Sequence, residues 1–306
     1  MEGFSRESIA GFFKELQKNI CFEIEQTDKK GIFNIDQWHH KEGGGGLTSV
    51  IEKGNIIEKG GVNFSEVYGK VNEMMSKNLP GAADLFFATG VSIVMHPFNP
   101  FVPIIHMNVR YFELTDLKGR IVNSWFGGGI DLTPHYVNEH QAKYFHSALN
   151  TICQNHDLAY YSKFKKWADD YFFIPHREET RGIGGIFFDQ LNEENYGDIS
   201  KTFDFVKDVG NGFAPLYTLF MKERSDHNFT EKNREWQLLR RGRYAEFNLV
   251  YDRGTRFGFE SGGRTESILM SLPPVAQWNY NYIPENDSEE AKTLLLLKKD
   301  IDWLNK

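Results

Sequence analysis

Cysteine is almost absent from this chain: among 306 residues only Cys21 and Cys153 occur, and no C-x-x-C pattern is present. That excludes a disulfide framework and a zinc ribbon. Long apolar runs are missing as well. The longest, Leu85 to Met95, is too short to span a bilayer. The opening residues show neither a basic n-region nor an apolar h-region, so the expected location is cytoplasmic. Nucleotide motifs are lacking. There is no Walker A loop, the Gly182–Gly185 cluster lacks the last glycine of G-x-G-x-x-G, and the Gly43–Gly46 run has no lysine after it. Neither a G-x-S-x-G elbow nor an H-E-x-x-H motif occurs. The triplets His40-Lys41-Glu42 and His176-Arg177-Glu178 are chance-level matches to an iron-binding pattern.

What is present describes a folded chain: 40% hydrophobic, 25% charged and 15% aromatic residues exclude a disordered one. The formal charge of −7 argues against nucleic acid as a partner. Its distribution is uneven. From Arg234 to Arg264 there are seven arginines, four acidic residues and no lysine, a local charge of +3. Arginine without lysine points to fixed, forked contacts with carboxylates, either in a ligand or inside the protein. Internal ion pairs, some at a subunit contact, are the plainer reading.

Residues 8–20 carry apolar positions at helical spacing. The Gly43–Gly46 run reads as a break, followed by short strands at 48–52 and 55–58. Strands are expected at 86–95, 104–114 and 121–126, the last ended by Gly127–Gly129. Residues 138–170 read as helical and 185–191 as a strand. Helices are expected at 204–221, 229–241 and 288–304, and a strong strand at 244–251. Several strands precede the first long helical stretch, so regular βαβ alternation is excluded and one α+β domain, 1–306, is expected.

The strand at 104–112 carries the first chemical signal. Alternation puts His106, Asn108 and Arg110 on one face and Ile105, Met107 and Val109 on the other. A face with an imidazole, an amide and a guanidinium resembles the wall of an anion-binding cleft. The expected strand at 244–252 repeats the idea with Glu246, Asn248 and Asp252. Arg253 follows it, and then Gly262-Gly263-Arg264, where glycines let backbone N–H groups approach an anion. Spacing alone identifies no metal site among the histidines.

The stretch His176-Arg177-Glu178-Glu179-Thr180-Arg181-Gly182-Ile183-Gly184-Gly185-Ile186-Phe187-Phe188-Asp189 resembles the signature of the oxygen-dependent coproporphyrinogen-III oxidase family. The resemblance extends through Lys59–Ser65, His96-Pro97, His106–Tyr111, Trp125–Gly129, Asp131–Pro134, Tyr251–Thr255 and Gly262–Ser271. It implies a large twisted antiparallel sheet flanked by helices on both faces, and a homodimer with residues about 241–278 at the interface. The implied reaction converts two propionates of coproporphyrinogen III to vinyl groups, giving protoporphyrinogen IX and CO2. O2 is the co-substrate and no organic cofactor is used. Carried over by position, His106 is the proton donor, and Asp252 and Arg253 form a pair in the substrate cleft. Ser92, Asn108, Val109, Arg110, Gly262, Gly263 and Arg264 contact substrate. His96, His106, His146 and His176 match a divalent-metal set assigned in some members. Two departures stand out: Trp167-Ala168 where the family often has Trp-Cys, and Leu47-Thr48-Ser49 where it often has arginines. A metal-dependent dioxygenase on another substrate and a non-catalytic tetrapyrrole carrier are the alternative readings.

Overall fold

The computed structural model describes residues 4–72, 75–76, 83–260 and 263–306, without the side chains of residues 257 and 260. Helix α1 (Arg6–Asp28) starts at a capping box in which Ser5 accepts from the Ser8 backbone and Ser8 reaches back. Its apolar stripe, Ile9, Phe13, Leu16 and Ile20, is buried at the expected spacing. Six strands then form a meander: β1 (Asn34–His39), β2 (Gly44–Glu52), β3 (Ile57–Lys70), β4 (Leu85–Pro97), β5 (Ile104–Thr115) and β6 (Ile121–Thr133). Helices α2 (Glu139–Gln154) and α3 (Tyr160–Tyr171) follow. Next come a small pair, β7 (Phe173–Ile174) and β8 (Glu179–Thr180), and then β9 (Gly185–Leu191). Every pairing in the seven-stranded sheet, order β1-β2-β3-β4-β5-β6-β9, is antiparallel.

The two faces of this sheet are chemically different. One carries Ile93, Met95, Ile105, Met107, Val109, Ile130 and Leu132, packed in one core with α1 and with Val209, Phe213 and Tyr217. The last three belong to α5 (Ile199–Arg224), which follows the short α4 (Glu193–Tyr196). Each such side chain contributes about 1.5–3 kcal/mol by leaving water. The other face carries the polar side chains His106, Asn108, Arg110 and Asp131 among apolar ones such as Val94, Ile104 and Phe112, and is partly covered by the C-terminal third. That part holds α6 (Glu231–Glu246), a π-helical turn (Phe247–Tyr251), α7 (Arg253–Glu260), α8 (Thr265–Leu269) and finally α9 (Glu289–Leu296). Its attachments are specific: Asn63 Nδ2 donates to Ser267 O at 2.8 Å, Lys59 Nζ to Leu272 O at 3.1 Å, and His96 Nε2 to Ser271 O at 2.9 Å. The α+β architecture with helices on both faces is thus as expected.

Several local expectations change. The strand expected at 244–251 is the end of α6 and the π-helical turn. Nearly every position from Trp236 to Asn248 is buried, so the segment packs all round and shows no one-sided stripe. Arg240 and Arg241 are buried because Glu179 and Glu58 neutralise them. Glycines mislead at two more places. Gly44, Gly45 and Gly46 lie inside β2, and β6 continues through Gly127–Gly129 to Thr133. The helix expected over 138–170 is two helices, and β1 is an additional edge strand.

Candidate active site

Along β5, Ile105, Met107 and Val109 are fully buried in the core while His106, Asn108 and Arg110 stay partly open on the polar face. Register supplies their neighbours. Ser92 on β4 stands opposite Asn108, and Asp131, Gly129 and Gly127 on β6 stand opposite His106, Asn108 and Arg110. Val109, expected among the substrate contacts, has its side chain on the far side of the sheet.

Asp131 is the electrostatic centre of this face. At 1% exposure it accepts from His106 Nδ1 at 2.8 Å and from Arg181 Nη2 at 2.7 and 2.8 Å. Arg181, equally buried, donates through Nη1 to Asn248 Oδ1 at 2.7 Å. Its guanidinium also lies 4.4–4.7 Å from the rings of Phe172, Tyr244 and Phe247. Burial by itself would raise the Asp131 carboxyl; the Arg181 charge and the His106 hydrogen bond outweigh it and hold the group below the usual carboxylate range. Burial opposes the Arg181 charge in turn, and Asp131 overcomes that, so the guanidinium is raised. An ionised Asp131 only accepts, so Nδ1 of His106 carries the hydrogen and Nε2 is left to exchange protons.

Asp252 sits at the start of α7. Its carboxylate accepts from the Tyr171 hydroxyl at 2.8 Å and from the Thr255 N–H at 2.7 Å, which caps that helix. Burial, then the Asp252 charge, raises the Tyr171 phenol, so it remains a donor. Arg253 lies over the Tyr171 ring, with Cζ 5.7 Å from its centroid. Arg110 reaches Asp189 on β9 at 2.8 Å and Asn108 Oδ1 at 2.8 Å. Arg264 pairs with Asp36 on β1, and the Gly263 N–H donates to Gly258 O at 2.7 Å. Gly262 lies outside the described residues.

The four histidines expected as a metal set are not gathered. His146 is on the core side of the sheet, with Nδ1 on the Tyr161 hydroxyl at 2.9 Å and Nε2 on Ile183 O at 3.0 Å. Burial drives it down to about 3, a neutral packing group. His176 is half-exposed and held by Glu246 and Tyr251, each at 2.8 Å. His96 is fully buried and bonded to Ser271 O. Among the described residues no three His, Cys, Asp or Glu side chains converge as metal ligands. The set does not fit one metal ion within this chain.

Most of the arginine-rich window is internal pairing. Arg234 and Arg241 share Glu58, Arg240 holds Glu179, Arg243 holds Glu246 and Arg264 holds Asp36. Asn248 was expected on the same polar pattern as Asp252, but Asp131 and Tyr171 were not expected as site residues from the sequence. Asp131 did carry a signal: a carboxylate between Ile130 and Leu132 in a buried strand needs a charged partner.

The fold and site define an α+β protein whose sheet carries on one face a histidine hydrogen-bonded to a buried Asp131–Arg181 pair and, beside it, the half-buried Arg110. The coproporphyrinogen III oxidase family model matches residues 8–303, and the chain belongs to that family. It is 48% identical over 300 residues to an oxygen-dependent coproporphyrinogen-III oxidase of Drosophila melanogaster, covering 95% of this chain and 76% of that one. It is 45% identical over 301 residues to the mitochondrial enzyme of the same name from Rattus norvegicus, covering 95% and 67%. Family membership therefore does not fix the compartment. Among the described residues no helix is long and apolar enough to cross a membrane.

Proposed function

We infer that this protein is an oxygen-dependent coproporphyrinogen-III oxidase. The observation that carries the reading is the family match over 8–303. The polar face of β5, with its buried Asp131–Arg181 support, is consistent with it. In each turnover a propionate loses CO2 from one carbon and a hydrogen with two electrons from the next, leaving a vinyl group. O2 takes the two electrons and, with one proton, leaves as peroxide. His106 Nε2 handles that proton, since Asp131 fixes the other ring nitrogen. Asp252, already oriented by Tyr171 and Thr255, accepts a pyrrole N–H and raises the electron density of the ring. Arg110 takes a propionate, with Asn108 and Ser92 beside it.

A homodimer is part of this reading. Leu249, Val250, Val275 and Trp278, all within the expected interface segment 241–278, are about half-exposed, which supports a covering partner. Aerobic incubation with coproporphyrinogen III tests the function, following CO2 and the fluorescence of the oxidised product. Binding of the tetrapyrrole without CO2 release would make the protein a carrier.

A further inference from the structure

Asp189 occupies a position that local geometry works to create. β9 runs in register with β6 from Asp131↔Gly185 to Gly128↔Phe188, then slips so that Leu191 faces Phe126. Asp189 and Gln190 therefore stand together against Gly127, which is a β-bulge, a device that re-aims side chains beside active sites. Gln190 is held at φ 51°, where a non-glycine residue is strained, and its N–H donates to Asp189 Oδ1 at 3.0 Å. The result carries the Asp189 carboxylate across Gly127 to Arg110 Nη2 at 2.8 Å. A Cβ at position 127 would lie 2.5 Å from Asp189 Oδ1 and 2.8 Å from Arg110 Nη2, so glycine leaves the space in which the two charged groups meet. Bulge, positive φ and glycine all serve one contact. The two side chains are 35% and 30% exposed, and pairs so open to water add little to stability. Folding does not account for the arrangement.

We propose that Asp189 is a positioning residue for the reaction, a replaceable counter-ion for Arg110. This rests on the reading that Arg110 takes a substrate propionate. Asp189 holds the guanidinium in the free enzyme, yields it to the incoming carboxylate, and takes it back when that group leaves as CO2 or with the product. Without Asp189, Arg110 would grip the carboxylate of the bound substrate harder than that of the departing state. Stronger ground-state binding lowers KM and slows turnover together.

The test is steady-state kinetics of Asp189→Asn, which keeps an acceptor for the Gln190 N–H. KM for coproporphyrinogen III should fall about two- to six-fold, the factor by which an exposed ion pair of ordinary strength competes. kcat should fall by a comparable factor, with Tm unchanged. Asp189→Ser, which also retains an acceptor, should behave alike. A merely structural role would raise KM while lowering kcat; that pattern, or an unchanged KM in both folded variants, overturns the proposal. Arg110→Gln separates the two layers. A KM unaffected by Arg110→Gln removes the propionate reading and the proposal with it. A raised KM upholds that reading, and adding Asp189→Asn in that background should then change neither parameter.

Discussion

Lowering the pH from 7 to 5 should remove a large part of this protein's stability, through three buried imidazoles. His96, His135 and His146 are each 0% exposed. His96 Nε2 donates to Ser271 O, His135 Nδ1 donates to Pro100 O at 3.1 Å, and His146 is held between Tyr161 and Ile183 O. Burial, reinforced by the Arg241 charge, pushes His96 and His135 well below the ordinary imidazole value. Burial takes His146 to about 3, with Lys165 adding to the effect. A base with a depressed folded-state pKa contributes its full stability above the unfolded value and loses it as pH falls below that value. At pH 5 an unfolded imidazole with a pKa of about 6.5 is protonated and the buried one is not. Each site then weakens folding by about 2 kcal/mol relative to pH 7, and the three together by about 6 kcal/mol. That is comparable to a typical total of about 5–15 kcal/mol. Asp131 and Glu246 do not contribute in this window. Their carboxyls are held low, Glu246 at about 2 against burial by the Arg177 and His176 hydrogen bonds and Arg243, so their loss begins only below about pH 4.5. Urea unfolding at pH 7, 6 and 5 reads the effect, provided m stays constant. His135→Gln should shrink the drop by about 2 kcal/mol. A stability that stays flat between pH 7 and 5 would refute the assignment of neutral buried imidazoles.

Replacing Arg181 with Met leaves Asp131 buried without its cation and should cost about 3–5 kcal/mol in urea unfolding; a loss below about 1 kcal/mol would mean the pair is not desolvated. Asp131→Asn leaves the buried Arg181 charge uncompensated and should also cost about 3–5 kcal/mol, and in the fraction that stays folded it should release the tautomer of His106, lowering kcat on the order of 10²-fold or more with little change in KM; a kcat near the unmodified value in folded protein would break the relay argument. Because the four histidines do not converge, activity of protein dialysed against a chelator should match that of untreated protein. Activity lost on chelation and restored by one divalent ion would contradict that geometry.

The sequence by itself determined the fold class, the family and which side chains share a face of β5. Period-two alternation at 104–112 is a local property, and it placed His106, Asn108 and Arg110 on one face because strand geometry leaves no alternative. The amphipathic spacing of α1 was equally local. Tertiary structure decided what lies between distant residues. Arg240 and Arg241 read as members of an internally ion-paired cluster, but only the fold names their partners, Glu179 and Glu58, and buries both arginines in a helix, and an expected strand becomes helical. Glycines that read as breaks became strand residues, because neighbouring strands come close to them, Trp38 and Phe64 at Gly46, Arg110 and Asp189 at Gly127. The support for His106 comes from Asp131 and Arg181, 25 and 75 residues away. No local pattern encodes such a contact, since charge pairing in a dry interior depends on distance in space and not on separation along the chain.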